Sequence, residues 1–224
     1  MRVSPLVAKF DSAEFALGVA HGMTIALARR QSSSFSDYLV DLSAYSKRLL
    51  VGEGAPDLVK SYDLQVPSLC TRYTNEQGWW VAGVSPKSYL MSEDRESLTS
   101  PSVVSATAGS DVMVLPHDMV ELALGGACVP AILAELTALD FTQFGANAWI
   151  PTVFAGIDVV LYRARRTDEH RVLCAPADGP YLFDTLTTLL REQGGAVIGI
   201  NEYETLELST KVNNTASRIS GAAT

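Results

Sequence analysis

The stretch from residue 120 to residue 200 limits the possible folds more than any other part of the chain. Its apolar pattern predicts a strand, a helix, a strand over 153–162, a second strand, a second helix and a final strand. Gly194-Gly195 predicts the end of the second helix, because glycine readily adopts the left-handed conformation found there. The order βαββαβ is that of the split ferredoxin-like motif, with two helices on one face of an antiparallel sheet.

The first half of the chain resembles the second. At one constant shift Leu49 aligns with Leu122 and Gly52 with Gly125, and the segment from Trp79 resembles the later hairpin. A shift of this length indicates duplication of a whole supersecondary unit. We therefore predict an α+β domain over 38–200 that consists of two pseudo-repeated ferredoxin-like units, at about 38–116 and 117–200.

The two ends of the chain have a different composition. Residues 1–37 hold one weakly amphipathic patch followed by a serine-rich run, which predicts an N-terminal arm or loop. Residues 201–224 are polar and small, which predicts a C-terminal tail that is disordered or laid on a partner.

Composition excludes several classes of protein. With 17 Lys and Arg against 25 Asp and Glu, the net charge of −8 argues against electrostatic binding of nucleic acid. No apolar run approaches the roughly 20 residues of a membrane-spanning helix, and the first residues do not resemble a secretory signal. Cys70, Cys128 and Cys174 are an odd number among apolar or small neighbours, which predicts reduced, buried thiols in a cytoplasmic protein.

The sequence lacks the common catalytic motifs. It contains no dinucleotide fingerprint, phosphate-binding loop, HExxH or GxSxG, and its three histidines argue against a histidine-rich metal site. His117 and Asp118 are adjacent, so on a strand they would face opposite ways and would not form an acid–base couple. We therefore predict no catalytic residue and no metal ligand.

Two groups of residues remain as candidates for contact with other molecules. The most charged stretch runs from Arg163 to Arg171, at a predicted hairpin tip, and includes Arg165 and Arg166. Such a charge run is either solvated or a contact surface for an acidic ligand or a partner subunit. The second group consists of Trp79, Trp80 and Trp149.

The tryptophan pair poses a simple geometric question. Consecutive strand residues point to opposite faces, so only one of Trp79 and Trp80 can enter a given core. The other lies either in an interface, which favours large amphipathic rings, or beneath the N-terminal arm. Trp149 has the same two interpretations.

Several segments together resemble a known family. They are VDLSAYSKRLLVGEG, LPHDMVELALGG, FAGIDVVLYRAR and RVLCAPADGPYLFDTLTTLL. Over about 38–200 the chain resembles the gamma subunit of heterotetrameric sarcosine oxidase and, more broadly, the folate-binding aminomethyltransferase (T-protein) family of glycine cleavage.

The resemblance breaks at the segment that helps to form the pterin site in the folate-binding relatives. There the family has a Thr-Gly-Tyr-Thr-Gly-Glu-x-Gly run, whereas this chain has a glycine-free run over 164–170. Arg163 and Glu169 are the positions that the resemblance implies for folate, if folate is bound. The break favours the gamma-subunit interpretation.

That interpretation implies a noncatalytic chain in a multisubunit flavoenzyme. FAD, FMN, NAD and tetrahydrofolate would lie on the partners, a large folate-binding alpha subunit and a flavin-binding beta subunit, and none on this chain. Two alternatives are a small folate-dependent transferase or folate-binding protein, and a ferredoxin-like ligand-binding module unrelated to flavoenzymes.

Overall fold

The computed structural model of the chain describes residues 2–31, 34–93, 111–164 and 168–206. These residues form an α+β fold with three sheets. The strands are β1 (Arg2–Val3), β2 (Phe15–Ala20), β3 (Met23–Arg29), β4 (Tyr38–Asp41), β5 (Lys47–Val51), β6 (Arg72–Thr74), β7 (Trp79–Ser85), β8 (Ser88–Glu93), β9 (Met113–Pro116), β10 (Val120–Gly125), β11 (Ile150–Phe154), β12 (Ile157–Arg163), β13 (Glu169–Cys174) and β14 (Ala196–Ile198). The helices are α1 (Ala55–Ser61), α2 (Val129–Leu136) and α3 (Gly179–Glu192), and residues 200–206 are also helical.

The second half of the chain supplies most of a six-stranded sheet with the strand order β11-β12-β13-β10-β4-β14. Its helices α2 and α3 share one apolar core with one face of this sheet. The predicted α+β class and the predicted first strand, both helices and last strand are confirmed. In the part of the chain that the structure describes, no helix is both long and apolar enough to cross a membrane.

Helix α3 shows why the sequence pattern was sufficient here. Leu182, Leu186 and Leu190 recur at helical spacing and are all fully buried. At its end, the N–H of Gly195 donates to the carbonyl of Leu190, and Gly194 has a φ of +79°. This is the Schellman arrangement, which explains the predicted stop at the glycine pair.

The predicted single strand over 153–162 is wrong. The chain turns back within it, so that β11 pairs with β12 and Phe154 faces Ile157. The two residues of the turn, Ala155 and Gly156, have φ values of +52° and +82°. Positive φ at both positions matches the tight turn whose twist suits an antiparallel hairpin.

The five-stranded sheet has the order β6-β7-β8-β5-β9, and α1 packs on one face of it. The order β6-β7-β8-β5 parallels the order β11-β12-β13-β10, but the last strands differ, because β9 pairs with β5 whereas β14 pairs with β4. The duplication itself stays a prediction. The predicted first unit is wrong at its start, because β4 pairs with β10 and β14 in the six-stranded sheet. Residues 94–110, between β8 and β9, lie outside the described residues.

The expected N-terminal arm is a folded part of the domain. Strands β1, β3 and β2 form a third sheet, joined at a turn where His21 and Gly22 both have positive φ. Leu6, Phe10 and Phe15 belong to the same core cluster as helices α2 and α3. The repeated small residues of β2 and β3 hid this hairpin in the sequence.

The predicted start of the polar tail, at residue 201, is also too early in the sequence. Residues 200–206 are helical, and Ile200 and Tyr203 are buried in a core cluster with Met23 and Ile25 of the N-terminal sheet. The rest of the predicted tail, residues 207–224, lies outside the described residues.

We predict that Gly199→Ala destabilises the fold, because Gly199 packs directly on the backbone of β3. A Cβ there would lie 2.3 Å from the carbonyl carbon and oxygen of Leu27. Relieving such a contact costs about 1–3 kcal/mol. Gly145→Ala is the matched control, since a Cβ at Gly145 meets nothing within 4 Å. Urea unfolding measures both variants, and equal stabilities would contradict the close packing of the N-terminal sheet.

Candidate functional site

The residues predicted from the family resemblance lie at the join of β12 and β13. Arg163 is the last residue of β12 and is half-buried, and its carbonyl accepts a hydrogen bond from Arg72 Nη2 at 2.8 Å. Glu169 is the first residue of β13 and is fully buried. Arg165 and Arg166 lie outside the described residues.

Glu169 belongs to a buried ion cluster formed by Lys47, Glu121, Glu169 and Arg171. Arg171 lies between the carboxylates, with Nη1 3.1 Å from Glu121 Oε1 and Nε 3.0 Å from Glu169 Oε1. Lys47 Nζ lies 2.8 Å from the other oxygen of Glu121. All four side chains are almost completely inaccessible to solvent. The cluster therefore contains two cations and two anions without solvent.

Three tyrosine hydroxyls complete the buried ion cluster. Tyr162 donates to Glu121 at 2.6 Å, Tyr38 donates to Glu169 at 2.5 Å, and the hydroxyl of Tyr203 lies 3.0 Å from Glu169 Oε1. Arg171 Nη2 also donates to the Tyr203 hydroxyl at 2.8 Å. These hydrogen bonds satisfy groups that would otherwise be buried without a partner, which is costly.

Strand alternation explains why these charges meet. In β13, Glu169 and Arg171 point to the same face, and β10 places Glu121 on that face. Glu169 pairs with Gly125, which leaves room for Tyr38, since a Cβ on Gly125 would lie 2.3 Å from the Tyr38 ring. The sequence did not identify the cluster, although charged residues inside otherwise apolar strands were the available signal.

The buried ion cluster shifts the protonation of its members. Burial opposes ionisation of Glu121, but Lys47 and Arg171 outweigh it and lower the pKa of this carboxyl to about 2. Asp41, nearby on β4, forms no ion pair with a described residue, and burial raises its pKa although Ser4 donates a hydrogen bond to it. Glu121 is therefore a permanent anion, held for its charge.

An aromatic cluster of Trp80, Trp149 and Tyr162 continues this layer between the two larger sheets. The ring centroids lie 5.4–5.6 Å apart, and the guanidinium of Arg72 lies 4.6 Å from the centre of the Tyr162 ring. Trp80 and Trp149 are 0% and 3% exposed, so the expectation that they form an interface surface is corrected. Only Trp79 of the three tryptophans is partly exposed, and it packs on Tyr62.

The predicted buried thiols are confirmed for one cysteine only. Cys174 is buried, Cys128 is partly buried and Cys70 is exposed. Burial raises the pKa of Cys174 and of Cys128 to about 12, with Asp37 and Asp178 adding to the effect at Cys128 and Cys174 respectively. A thiol in that state is a poor nucleophile at neutral pH. Among the described residues, no group of His, Cys, Asp or Glu could hold a metal ion.

His170 is the one buried histidine with a displaced pKa among the described residues. It lies on β13 with its ring edge-on to Phe141, and its Nδ1 has no hydrogen-bond partner in the described part of the chain. Burial, aided by the nearby Arg163, lowers its pKa to about 4. His170 is thus neutral near pH 7 and is placed for packing and not for proton transfer.

The geometry of this layer has a clear chemical meaning. Both carboxylates of the buried ion cluster are engaged by arginine, lysine and tyrosine, and the aromatic cluster occupies the adjoining space between the sheets. Carboxylates that are buried and paired with protein cations and hydroxyls have little capacity to bind a substrate. The described residues of this layer therefore hold the two sheets together.

Comparisons with known proteins support the fold. No protein-family model and no curated protein sequence matches the chain. Glycine cleavage system aminomethyltransferase T from Bartonella henselae is similar, with a TM-score of 0.62 and 16% identity over 88% of this chain. A chain of heterotetrameric sarcosine oxidase from Corynebacterium sp. U-96, in complex with pyrrole 2-carboxylate, has a TM-score of 0.59 and 20% identity over 84% of this chain.

The lengths covered differ between these two structures. The match spans 59% of the aminomethyltransferase chain but 94% of the sarcosine oxidase chain. The resemblance to both proteins that the sequence predicted is confirmed at the level of the fold. At identities of 16% and 20% the similarity concerns the fold alone.

We predict that Glu121→Gln destabilises the protein by about 3–5 kcal/mol, because it leaves Lys47 buried without its counter-charge. The double variant Lys47→Met/Glu121→Gln removes that lone charge. Its loss of unfolding free energy should be smaller than the sum of the losses of the two single variants by more than about 1 kcal/mol. Urea unfolding of the four proteins completes the cycle. Additive losses would contradict direct coupling between the two sheets.

We predict that His170 makes the fold sensitive to mild acid. Its pKa of about 4 lies below the ordinary 6.5, so the unfolded chain takes up the proton first and stability falls as pH drops from 6.5 to 4. Between about pH 7.5 and about pH 5 the loss is about 2 kcal/mol. His170→Phe should remove it, whereas His117→Phe, at a half-buried site, should retain it. An unchanged pH profile in His170→Phe would disprove this role.

Proposed function

We propose that this chain is a noncatalytic, gamma-like assembly subunit of a multisubunit flavoenzyme of the sarcosine oxidase type. Such an enzyme oxidatively demethylates an N-methyl amine such as sarcosine and transfers the one-carbon unit to tetrahydrofolate. In this proposal the chain completes and stabilises the complex and carries none of the chemistry. The complex is expected in the cytoplasm.

The observation that carries the proposal is the pattern of coverage. The match extends over 84% of this chain and 94% of a chain from heterotetrameric sarcosine oxidase, so the two chains are similar in extent. Against aminomethyltransferase T it extends over 88% of this chain but 59% of the other. The shared fold thus accounts for nearly all of the oxidase chain but for only 59% of the transferase chain.

The filled layer between the sheets supports a structural role. The carboxylate of Glu169, the residue implied for folate by the family resemblance, is bound by Tyr38, Arg171 and Tyr203. A pterin would have to displace at least one of these buried partners, which would leave Arg171 or a tyrosine unsatisfied. The proposal therefore puts FAD, FMN, NAD and tetrahydrofolate on the partner subunits, with none on this chain.

The N-terminal sheet offers a surface for a large partner. Val3 of β1 and Val19 of β2 both pair with Thr24 of β3, so they lie on one face of the sheet, and Leu17 follows on the same face. These three apolar residues are 54%, 56% and 40% exposed. We propose this apolar strip, together with the partly exposed Trp79, as contact surface for the alpha or beta subunit.

A folate-dependent aminomethyltransferase or folate-binding protein is the second candidate. The higher TM-score with aminomethyltransferase T favours it, as does the position of Arg163 at the end of β12 beside the charged run. The two candidates differ in what the isolated chain binds. The first requires a protein partner, and the second requires tetrahydrofolate.

We predict that the tagged full-length chain, purified from its native host, brings with it two larger proteins in stoichiometric amounts. The eluate should be yellow and show a flavin spectrum, because the partners carry the flavins. Mass spectrometry and absorbance measure both properties. A colourless chain that elutes alone and releases heat on titration with tetrahydrofolate would replace the first candidate by the second.

Two matched variants test the proposed contact surface. Val19→Lys changes the apolar strip, whereas Val153→Lys places the same charge at a residue of equal exposure on β11 of another sheet. A buried lysine at an apolar interface is costly, so Val19→Lys should reduce recovery of the partners. Equal recovery with both variants would rule out the apolar strip as the contact.

A further inference from the structure

A pocket lies where the N-terminal sheet meets the end of α3 and the start of β14. Its volume is about 450 Å³, within the usual range for small-molecule sites. It is lined by the first residue of β2 and the two residues before it, the last residue of β3 and the two residues after it, Arg191 of α3, and the segment 195–197. It is separate from the buried ion cluster and shares no residue with it.

The rim of the pocket is cationic in a chain that is acidic overall. Arg29, Arg30 and Arg191 line it, against one carboxylate, that of the exposed Glu14. This excess of guanidinium groups contrasts with the net charge of −8 for the whole protein. One of the three, Arg29, is already balanced by Glu202, and the positive charge of the other two favours an anion in the cavity.

The three arginines are not equally engaged. Arg29 pairs with Glu202 at 2.9 Å and lies over the Phe35 ring, which fixes its position. Arg30 donates through Nε to the carbonyl of Ser12, and its two remaining nitrogens have no partner among the described residues. Arg191 makes no ion pair within the described part of the chain. Arg30 and Arg191 therefore retain donors for a ligand.

The lining of the pocket is part polar and part apolar, and several of its backbone N–H groups are already paired. Phe15 and Val197 contribute buried side chains. The N–H groups of Arg29, Arg30 and Ala196 donate to Glu202, Glu14 and Asp37 respectively. Recognition therefore depends on the guanidinium groups at the rim and on the apolar floor, which suits an anion with a short hydrocarbon body.

We propose that this pocket binds a small organic dianion whose charged groups are carboxylates or phosphate. Arg30 and Arg191 each donate to one anionic group, in the paired geometry that guanidinium makes with carboxylate or phosphate. Arg29, held by Glu202, supplies fixed positive charge, and Phe15 with Val197 contacts the hydrocarbon between the charges. This site goes beyond the assembly role and does not depend on it.

Calorimetry on the purified full-length chain tests the site, in a low-salt buffer without phosphate. The probes are glutarate, inorganic phosphate and glutaramide, the last being the uncharged analogue of glutarate. Glutarate or phosphate should bind saturably with a Kd of about 1 mM or tighter, and glutaramide should not bind. Binding of glutarate alone identifies a dicarboxylate ligand, and binding of phosphate alone identifies a phosphate-bearing one.

Variants connect the binding to the pocket. The double variant Arg30→Gln/Arg191→Gln should bind the anion about tenfold more weakly or worse, because two charged hydrogen bonds are lost. Arg48→Gln, on β5 and away from the pocket, should leave affinity unchanged. Arg30 and Arg191 are both exposed, so their replacement should not disturb the fold. Circular dichroism melting verifies that the double variant folds like the native protein. No saturable heat with either anion, equal binding of glutaramide, or unaltered affinity in the double variant would overturn the proposal.

Discussion

The structure depends on four buried charges that balance one another. Removing Lys47, Glu121, Glu169 and Arg171 from water costs several kcal/mol per ion, and only a complete set of partners offsets that cost. Because β5 supplies Lys47 and β10 supplies Glu121, the two larger sheets satisfy their charges only when they are packed together. The cluster thus contributes specificity of assembly, since a shifted register of β13 would bury its charges unpaired.

The sequence predicted those elements whose pattern lies within one segment. Helix α3 and strand β10 carry their apolar periodicity locally, so their positions followed from it. The turn at Ala155 was missed, because alanine seldom adopts a positive φ and only the pairing of β11 with β12 requires it there. The N-terminal hairpin was missed because its strands are rich in small residues, although its His21-Gly22 turn was a usable signal.

The candidate site was harder to predict for a different reason. Alternation in β13 correctly puts Glu169 and Arg171 on one face, but a single sequence does not say what covers that face. The five-stranded sheet covers that face and contributes Lys47, which is far from β13 in the sequence. Likewise, alternation separated Trp79 from Trp80, while the neighbours that bury Trp80 come from β12 and from Trp149. Long-range contacts of this kind leave no local pattern.

Strand β4 has a consequence for biosynthesis. It precedes both of its partner strands in the chain, yet it lies inside the six-stranded sheet, where Tyr38 is paired with Gly125 on one side and with Ala196 on the other. A chain growing from its N-terminus therefore exposes both edges of β4 while most of the remaining sequence is translated. The six-stranded sheet closes only when β14 emerges, and until then a nascent chain has unpaired strand edges that are open to association with other chains.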